Sequence, residues 1–292
     1  MSLSGQNKKK KKKRISIFNT ILVLIMLIGA GIIAYPTFSD WWNSFHQTRA
    51  IAGYVETVAQ MDTKTFERIW NEAETYNATL LHRKNRFHMG EDDKKIYNSI
   101  LNVTGTGIMG YIDIPKLDVS LPVYHGTDEA VLQIAIGHIE GTSLPIGGIG
   151  SHSAMSGHRG LPSAKLFSNI DQLKEGDHFL LQVLDRTLTY EVDQIHVVLP
   201  DEMQDLDFDP SKDLSTLITC TPYGVNTHRL LVRGHRVETL EDEAHFTAEA
   251  MRLDPVLVAP LMASPALFLL LLLLLLTTRR GRKPKKKRRR RT

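Results

Sequence analysis

Two long segments without a charged residue limit what this chain of 292 residues can fold into. Residues 15–35 and residues 256–278 are both uncharged, and the second contains a run of leucines at 269–276. As an α-helix, a segment of about 20 residues spans roughly 30 Å, the thickness of the hydrocarbon core of a bilayer. A basic run adjoins each segment, at 8–14 and at 279–291. This pattern predicts two transmembrane helices in a lipid bilayer.

The two basic runs also predict the orientation of the chain. They hold half of the 36 basic residues, so the part between them has 18 basic residues against 32 acidic ones. Because Lys and Arg beside a span stay in the cytoplasm, the tails at 1–14 and 279–292 are predicted to be cytoplasmic and the intervening part extracellular. The apolar neighbours explain the basic runs better than nucleic-acid binding does, and we expect no nucleic-acid partner.

Each span has an alternative interpretation. The first segment could be a signal sequence, but its length favours an uncleaved anchor, with Tyr35, Trp41 and Trp42 as interfacial aromatic residues. The second segment could be a leucine-rich core helix, which would need a partner surface on every side. The basic tail beside it favours a span.

The part between the spans changes character near residue 107. Residues 38–106 are predicted to be a helical stem and connector, because apolar residues recur every three or four positions from 40 to 83. Asp62 or Thr63 is placed to cap the second helix of the stem. Residues 84–106 mix charge and glycine with a short helical run at 92–101, which is typical of a mobile connector.

Residues 107–238 are rich in short β-type runs, which glycine, proline and aspartate separate. Closely spaced strands without long helices between them predict an antiparallel barrel or sandwich. Two segments, 129–139 and 163–173, are predicted to be short helices, and 239–255 is predicted to be a linker. The predicted strand regions are 110–117, 119–126, 152–158, 178–184, 188–200, 215–222 and 229–237.

Cys220, the only cysteine, lies on an apolar run before a proline. It is either a buried filler or a functional thiol, and the predicted exposure of an unpaired thiol to an oxidising exterior favours use. A nucleophilic thiol needs a nearby cation or base. His158 follows a glycine at the end of a β-type run and is a candidate base, whereas a metal site of His152, His158 and Cys220 lacks a further ligand at a suitable spacing. Strand alternation places Arg229 and Arg233 on one face, as solvated side chains or as ligand-binding groups.

The sequence resembles the sortase family in three separated blocks. "TLITC" followed by "TPYGVNTHRLLVRG" is similar to the family's cysteine signature with its downstream arginine, and "SGHRG" resembles its histidine motif. The similarity extends over residues 107–237 and is strongest to class C, the pilin-polymerising sortases of Gram-positive bacteria.

The resemblance implies a mainly β fold: an eight-stranded sortase-type β-barrel with short helices, preceded by the helical stem and flanked by the two transmembrane helices. It implies Cys220 as nucleophile, His158 as proton-transfer partner, Arg229 as oxyanion or substrate stabiliser, and Thr219 as part of the oxyanion site. The implied reaction is transpeptidation of an LPxTG-like sorting signal, without a cofactor or metal, onto a lysine of a pilin subunit.

Three expectations stay open beside this resemblance. The chain could instead anchor other LPxTG-type surface proteins to the cell wall, or it could be a non-catalytic, membrane-anchored peptide-binding protein. Class C sortases generally carry a lid with an Asp-Pro-aromatic motif, which residues 84–106 lack. Phe87 and His88 in that region are the candidates for a different lid, and an open site without a lid is the alternative.

Overall fold

A computed structural model of the chain describes residues 17–83, 85–239 and 269, and its centre is a closed eight-stranded β-barrel. The strand order around the barrel is β1-β2-β3-β4-β7-β8-β6-β5, with parallel pairing between β2 and β3 and between β4 and β7. The predicted eight-stranded barrel is therefore confirmed. The strands are β1 Ile108–Ile114, β2 Val119–His125, β3 Ile136–His138, β4 His152–Ser156, β5 His178–Val183, β6 Arg186–Val198, β7 Leu214–Thr221 and β8 His228–Val237.

Strand β3 lies in a segment that was predicted to be a helix. Only Glu129–Leu132 forms a helix there, α4, and Ile136–His138 pairs in parallel with β2. Gly137 permits this pairing, because a Cβ atom at that position would lie 2.1 Å from the carbonyl oxygen of Gly126. All three residues of β3 are buried, so no alternation of polar and apolar residues marked the strand.

The helix predicted at 163–173 is also wrong for most of its length. The segment forms turns and one 3-10 helix, Ile170–Gln172. Its apolar residues recur at helical spacing because they pack into the barrel core, where Ala164, Phe167 and Leu173 are buried. Tertiary packing, and not helix formation, explains the spacing.

The barrel core draws apolar side chains from all eight strands. Strand alternation divides β7 between two faces: Leu217 points into the core, whereas Ile218 belongs to a smaller cluster on the outer face. On β8, Leu230 and Val232 lie in the core and Leu231 lies in that outer cluster. The face on which Cys220 lies is thus the outer face of the barrel.

Helix α1 runs without interruption through Ile17–Ala59 and includes Pro36. The prediction had two separate elements here, a span that ends at residue 35 and a stem helix that begins near residue 40. The structure has one helix instead. By length and composition, Leu24–Ala59 is the one helix among the described residues that is long and apolar enough to cross a membrane. The second predicted span at 256–278, the linker beyond Thr239 and the basic tails lie outside the described residues, apart from Leu269.

Helix α2, Thr63–Leu80, is capped by Asp62, one of the two predicted capping residues. Its Oδ1 accepts a hydrogen bond of 2.7 Å from the backbone N–H of Thr65. A cation–π contact joins α2 to the start of β6. The Arg186 guanidinium lies 3.9 Å from the ring centroid of Trp70, which belongs to α2.

Helix α3, Glu91–Ser99, lies in the region that was predicted to be a mobile connector. Its Tyr97 is fully buried and donates a hydrogen bond of 2.8 Å to Nδ1 of His138, whose Nε2 in turn donates to the carbonyl of Ser143. Burial lowers the pKa of His138 to about 4, which keeps the ring neutral. The connector is therefore a packed part of the domain.

Candidate active site

Cys220 and Arg229 lie directly opposite each other at the end of the β7–β8 hairpin. The two strands are antiparallel, and their register pairs Cys220 with Arg229 and Ile218 with Leu231. Directly opposed side chains in such a pair have Cβ atoms about 4.5–5.5 Å apart. The thiol, which is half-buried, and the guanidinium group therefore share the outer face of the barrel.

His158 is held beside this pair by contacts on both of its sides. On one side, the N–H of Gly157 donates to the carbonyl of Ile218 at 3.0 Å, and the hydroxyl of Thr219 donates to the carbonyl of Gly157 at 2.7 Å. On the other side, Nη1 of Arg159 donates to the hydroxyl of Thr221 at 3.3 Å. These bonds join the neighbours of His158 to residues that flank Cys220 in the sequence.

The thiol of Cys220 and the ring of His158 are not hydrogen bonded to each other in the structure. Catalytic contacts are often long in unliganded sites and tighten when substrate binds. Nε2 of His158 is buried and has no hydrogen-bond partner among the described residues. The nearest acid in that part of the chain is Glu129 of α4, whose Oε2 lies 3.9 Å from this nitrogen. The structure thus adds Glu129 to the surroundings of His158. No pattern in the sequence indicates the proximity of Glu129 to His158, because only the fold brings α4 to the end of β4.

Arg229 is the arginine on this face that remains available to a ligand. Among the described residues, its guanidinium contacts only backbone carbonyl groups, those of Asn226 at 3.4 Å and His228 at 3.1 Å. Arg233, on the same face, is instead bound by both oxygens of Asp193, at 2.9 and 3.0 Å. The sequence left both arginines open, and the structure separates an available side chain from a structural one.

Thr219 is buried and points away from the face of Cys220, since side chains alternate along β7. Its hydroxyl is already bonded to the carbonyl of Gly157. In this structure the contact of Thr219 fixes the strand end that carries His158. His152, the other candidate metal ligand, is bonded through both ring nitrogens, to the Thr216 hydroxyl at 2.7 Å and the Asp207 carbonyl at 3.0 Å.

The two lid candidates differ in their positions. Phe87 is half-buried and packs against the outer cluster that contains Ile218 and Leu231, whereas His88 is exposed. Arg86 secures this turn: its guanidinium lies 4.7 Å from the ring centroid of Phe87, and it donates to the carbonyl of Leu206 at 2.9 Å. Burial lowers the pKa of Arg86 from its ordinary value. Phe87 therefore lies on the barrel face that carries Cys220.

A family model described as "Sortase domain" matches residues 112–237. The chain is similar to the crystal structure of sortase C1 from Streptococcus agalactiae, with 54% identity, a TM-score of 0.64, and coverage of 66% of this chain and 100% of that one. A crystal structure of sortase C from Streptococcus pneumoniae is 42% identical, with a TM-score of 0.60 and coverage of 65% and 97%. Sortase A from Bacillus anthracis is 27% identical over 223 residues, which are 76% of this chain and 96% of that relative.

The barrel and these similarities define a cysteine transpeptidase. The chain belongs to the sortase family, and class C sortases are among the structures that it resembles.

Proposed function

We propose that Cys220, His158 and Arg229 form the active site of this sortase and that the enzyme joins pilin subunits. One arrangement carries the assignment: Cys220 and Arg229 face each other in register, and hydrogen bonds on both sides of His158 reach the neighbours of Cys220. The substrate would be an LPxTG-like sorting signal, since sortases act on signals of this type.

In the first half-reaction, the thiolate of Cys220 attacks the carbonyl carbon of the threonine in the sorting signal. Arg229, which has no carboxylate partner among the described residues, stabilises the oxyanion or the bound substrate. The bond between threonine and glycine breaks, and His158 gives its proton to the glycine amine as it leaves. A thioester between Cys220 and the threonine remains.

In the second half-reaction, a lysine amine of another pilin subunit attacks the thioester. His158 takes the proton from the amine, an isopeptide bond forms, and the thiolate of Cys220 is released. One amide bond breaks and one forms, so the thioester conserves the energy and the reaction needs no nucleotide. Thr219 acts in this scheme as a positioning residue, through its bond to Gly157.

The pilin assignment is supported by the class C structures, one of which is described as giving insight into "pilin substrate specificity". Transfer of surface proteins to the cell wall is the second candidate function, because a relative named sortase A matches most of the chain. The two functions share the thioester and differ in the amine that accepts it.

The same proposal includes a lid and a two-pass topology. Phe87 would cover the surroundings of Cys220, because it packs on the barrel face that carries this residue and Arg86 holds its turn in place. Helix α1 would anchor the chain, with residues 256–278 as the second span, both termini in the cytoplasm and the barrel outside.

Incubation with two acceptors tests the proposed function. The full chain, in detergent micelles, is given a pilin subunit that ends in an LPxTG-like signal, or the same signal with a short peptide amine of the cell-wall type. We expect covalent pilin ladders that Cys220→Ala abolishes. Efficient transfer to the wall-type amine without ladders would contradict the pilin assignment and support wall anchoring.

A further inference from the structure

Helix α1 presents a row of polar side chains to the segments that surround His158. Asp40, Asn43 and Gln47 are spaced by three and four residues and therefore lie on one face of the helix. The same face continues through Ile51 and Tyr54, which are buried against the barrel. The row is thus the first part of the docking face of α1.

Asp40 and Asn43 bind the loop that follows His158. Oδ1 of Asp40 accepts a hydrogen bond of 2.9 Å from the backbone N–H of Lys165, and its Oδ2 lies 3.7 Å from the Lys165 ammonium. Nδ2 of Asn43 donates to the carbonyl of Ser163 at 2.8 Å. The loop has no regular secondary structure at these residues, so side chains from α1 satisfy backbone groups that a helix or strand would otherwise satisfy.

Gln47 binds the second segment beside His158. Its buried side chain donates a hydrogen bond of 2.6 Å to the carbonyl of Ile134, just beyond α4. Helix α4 carries Glu129, the acid whose Oε2 lies 3.9 Å from Nε2 of His158. One face of α1 therefore holds both the loop that begins at His158 and the helix that carries its nearest acid.

We propose that Asp40, Asn43 and Gln47 are positioning residues for the active site: the helix predicted to anchor the chain also sets the position of His158. This inference rests on the proposed roles of His158 and Cys220. It makes the part of α1 just beyond the apolar segment a component of the catalytic domain, in addition to a tether.

The test compares variants of the full chain in detergent micelles. Asp40→Ala combined with Asn43→Ala removes both bonds to the loop, whereas Asp40→Asn keeps an oxygen that can accept from the Lys165 N–H. Thr48→Ala is the matched control on the same helix, because within the described part of the chain the exposed Thr48 hydroxyl bonds only to the carbonyl of Ser44 on its own helix. If the double variant fails to fold, Asn43→Ala alone replaces it.

Two measurements separate positioning from simple stability. Loss of the two bonds should accelerate amide exchange in residues 158–166 by about 5- to 30-fold, as expected for one or two hydrogen bonds. It should also change the pH profile of Cys220 alkylation by iodoacetamide, measured well below the unfolding temperature. Glu129 and Arg159, the charged residues that flank His158, are unchanged in every variant, as is Arg229.

We expect both effects in the double variant, near-wild-type behaviour in Asp40→Asn, and no change in Thr48→Ala. Unchanged exchange in the loop would overturn the proposal, and so would faster exchange with an unchanged alkylation profile, since that result would make the contacts merely structural. Both measurements need no sorting signal. A chain that shows them but forms no thioester would therefore contradict the proposed function and leave the positioning role standing.

Discussion

The hydroxyl of Thr219 provides a sharp test of how His158 is positioned. Thr219→Val keeps the shape of the side chain and removes the hydrogen bond of 2.7 Å to the carbonyl of Gly157. Because the group is buried, the loss should lower the free energy of unfolding by about 1–3 kcal/mol. A chain of this size should then lose about 2–4 °C of melting temperature per kcal/mol.

The same substitution should also slow catalysis at temperatures at which the chain stays folded. A displacement of the reacting groups by about 1 Å can lower a rate by about 100-fold, and Gly157 precedes His158 directly. We expect Thr219→Val to lower kcat by at least about tenfold with little change in KM, measured with an LPxTG peptide well below the melting temperature. It should also alter the pH profile of Cys220 alkylation.

Thr216→Val is the matched control for this variant. Thr216 lies on the same strand, is equally buried, and loses a hydroxyl contact of 2.7 Å with His152, farther along the strand from Cys220. We expect a similar loss of stability with kcat unchanged. An equal loss of kcat in both variants, or an unchanged kcat in Thr219→Val, would refute the positioning argument. A lower kcat with an unchanged alkylation profile would instead indicate an oxyanion role for Thr219.

Three further predictions concern the surroundings of the site and the barrel wall. Arg229→Ala should lower kcat by about 100-fold or more, whereas Arg233→Ala should mainly lower stability; equal kcat values in the two variants would contradict the distinction. Phe87→Ala should speed alkylation of Cys220 by a bulky reagent, and an unchanged rate would argue against a lid. Burial raises the pKa of Asp113 from 3.8 to about 6, so the stability that its protonated form provides is present below pH 3.8 and is lost as the pH rises through 6. The stability of Asp113→Asn relative to the wild type should therefore be greater at pH 8 than at pH 4, by up to about 3 kcal/mol. Thermal melts of both proteins at the two pH values check the sign.

The sequence predicted the strands that alternate or carry turn signals, and it missed the one that does neither. Strand β3 has three residues, all buried, and it depends on the close approach of Gly137 to Gly126, which directly follows β2. The apolar spacing at 163–173 resembled a helix because the residues fill one end of the barrel. In both segments tertiary packing decided the local structure.

The motifs predicted the main residues of the candidate site, but their surroundings required the fold. Strand alternation correctly placed Leu230 and Val232 in the core, and hence Arg229 and Arg233 on the outer face. The pairing of Arg233 with Asp193 follows from strand pairing between β6 and β8, which no local pattern reveals.

The contacts of α1 with the loop after His158 were equally hidden in the sequence. They join residues about 120 positions apart, and the polar spacing of the helix face does not identify a partner. The break that was expected between the span and the stem is absent, and Pro36 lies within one continuous helix. The packing of α3 likewise depends on the contact of Tyr97 with His138, which lies 41 positions farther along the chain.

The central claim, that Cys220 carries the acyl group, is tested most directly by mass spectrometry of the trapped intermediate. The full chain is mixed with an LPxTG peptide, quenched in acid and digested. The account predicts that the peptide containing Cys220 gains the mass of the acyl portion that ends in threonine, and that Cys220→Ala shows no such gain. Binding of the sorting peptide without an adduct on Cys220, or turnover that persists in Cys220→Ala, would contradict it.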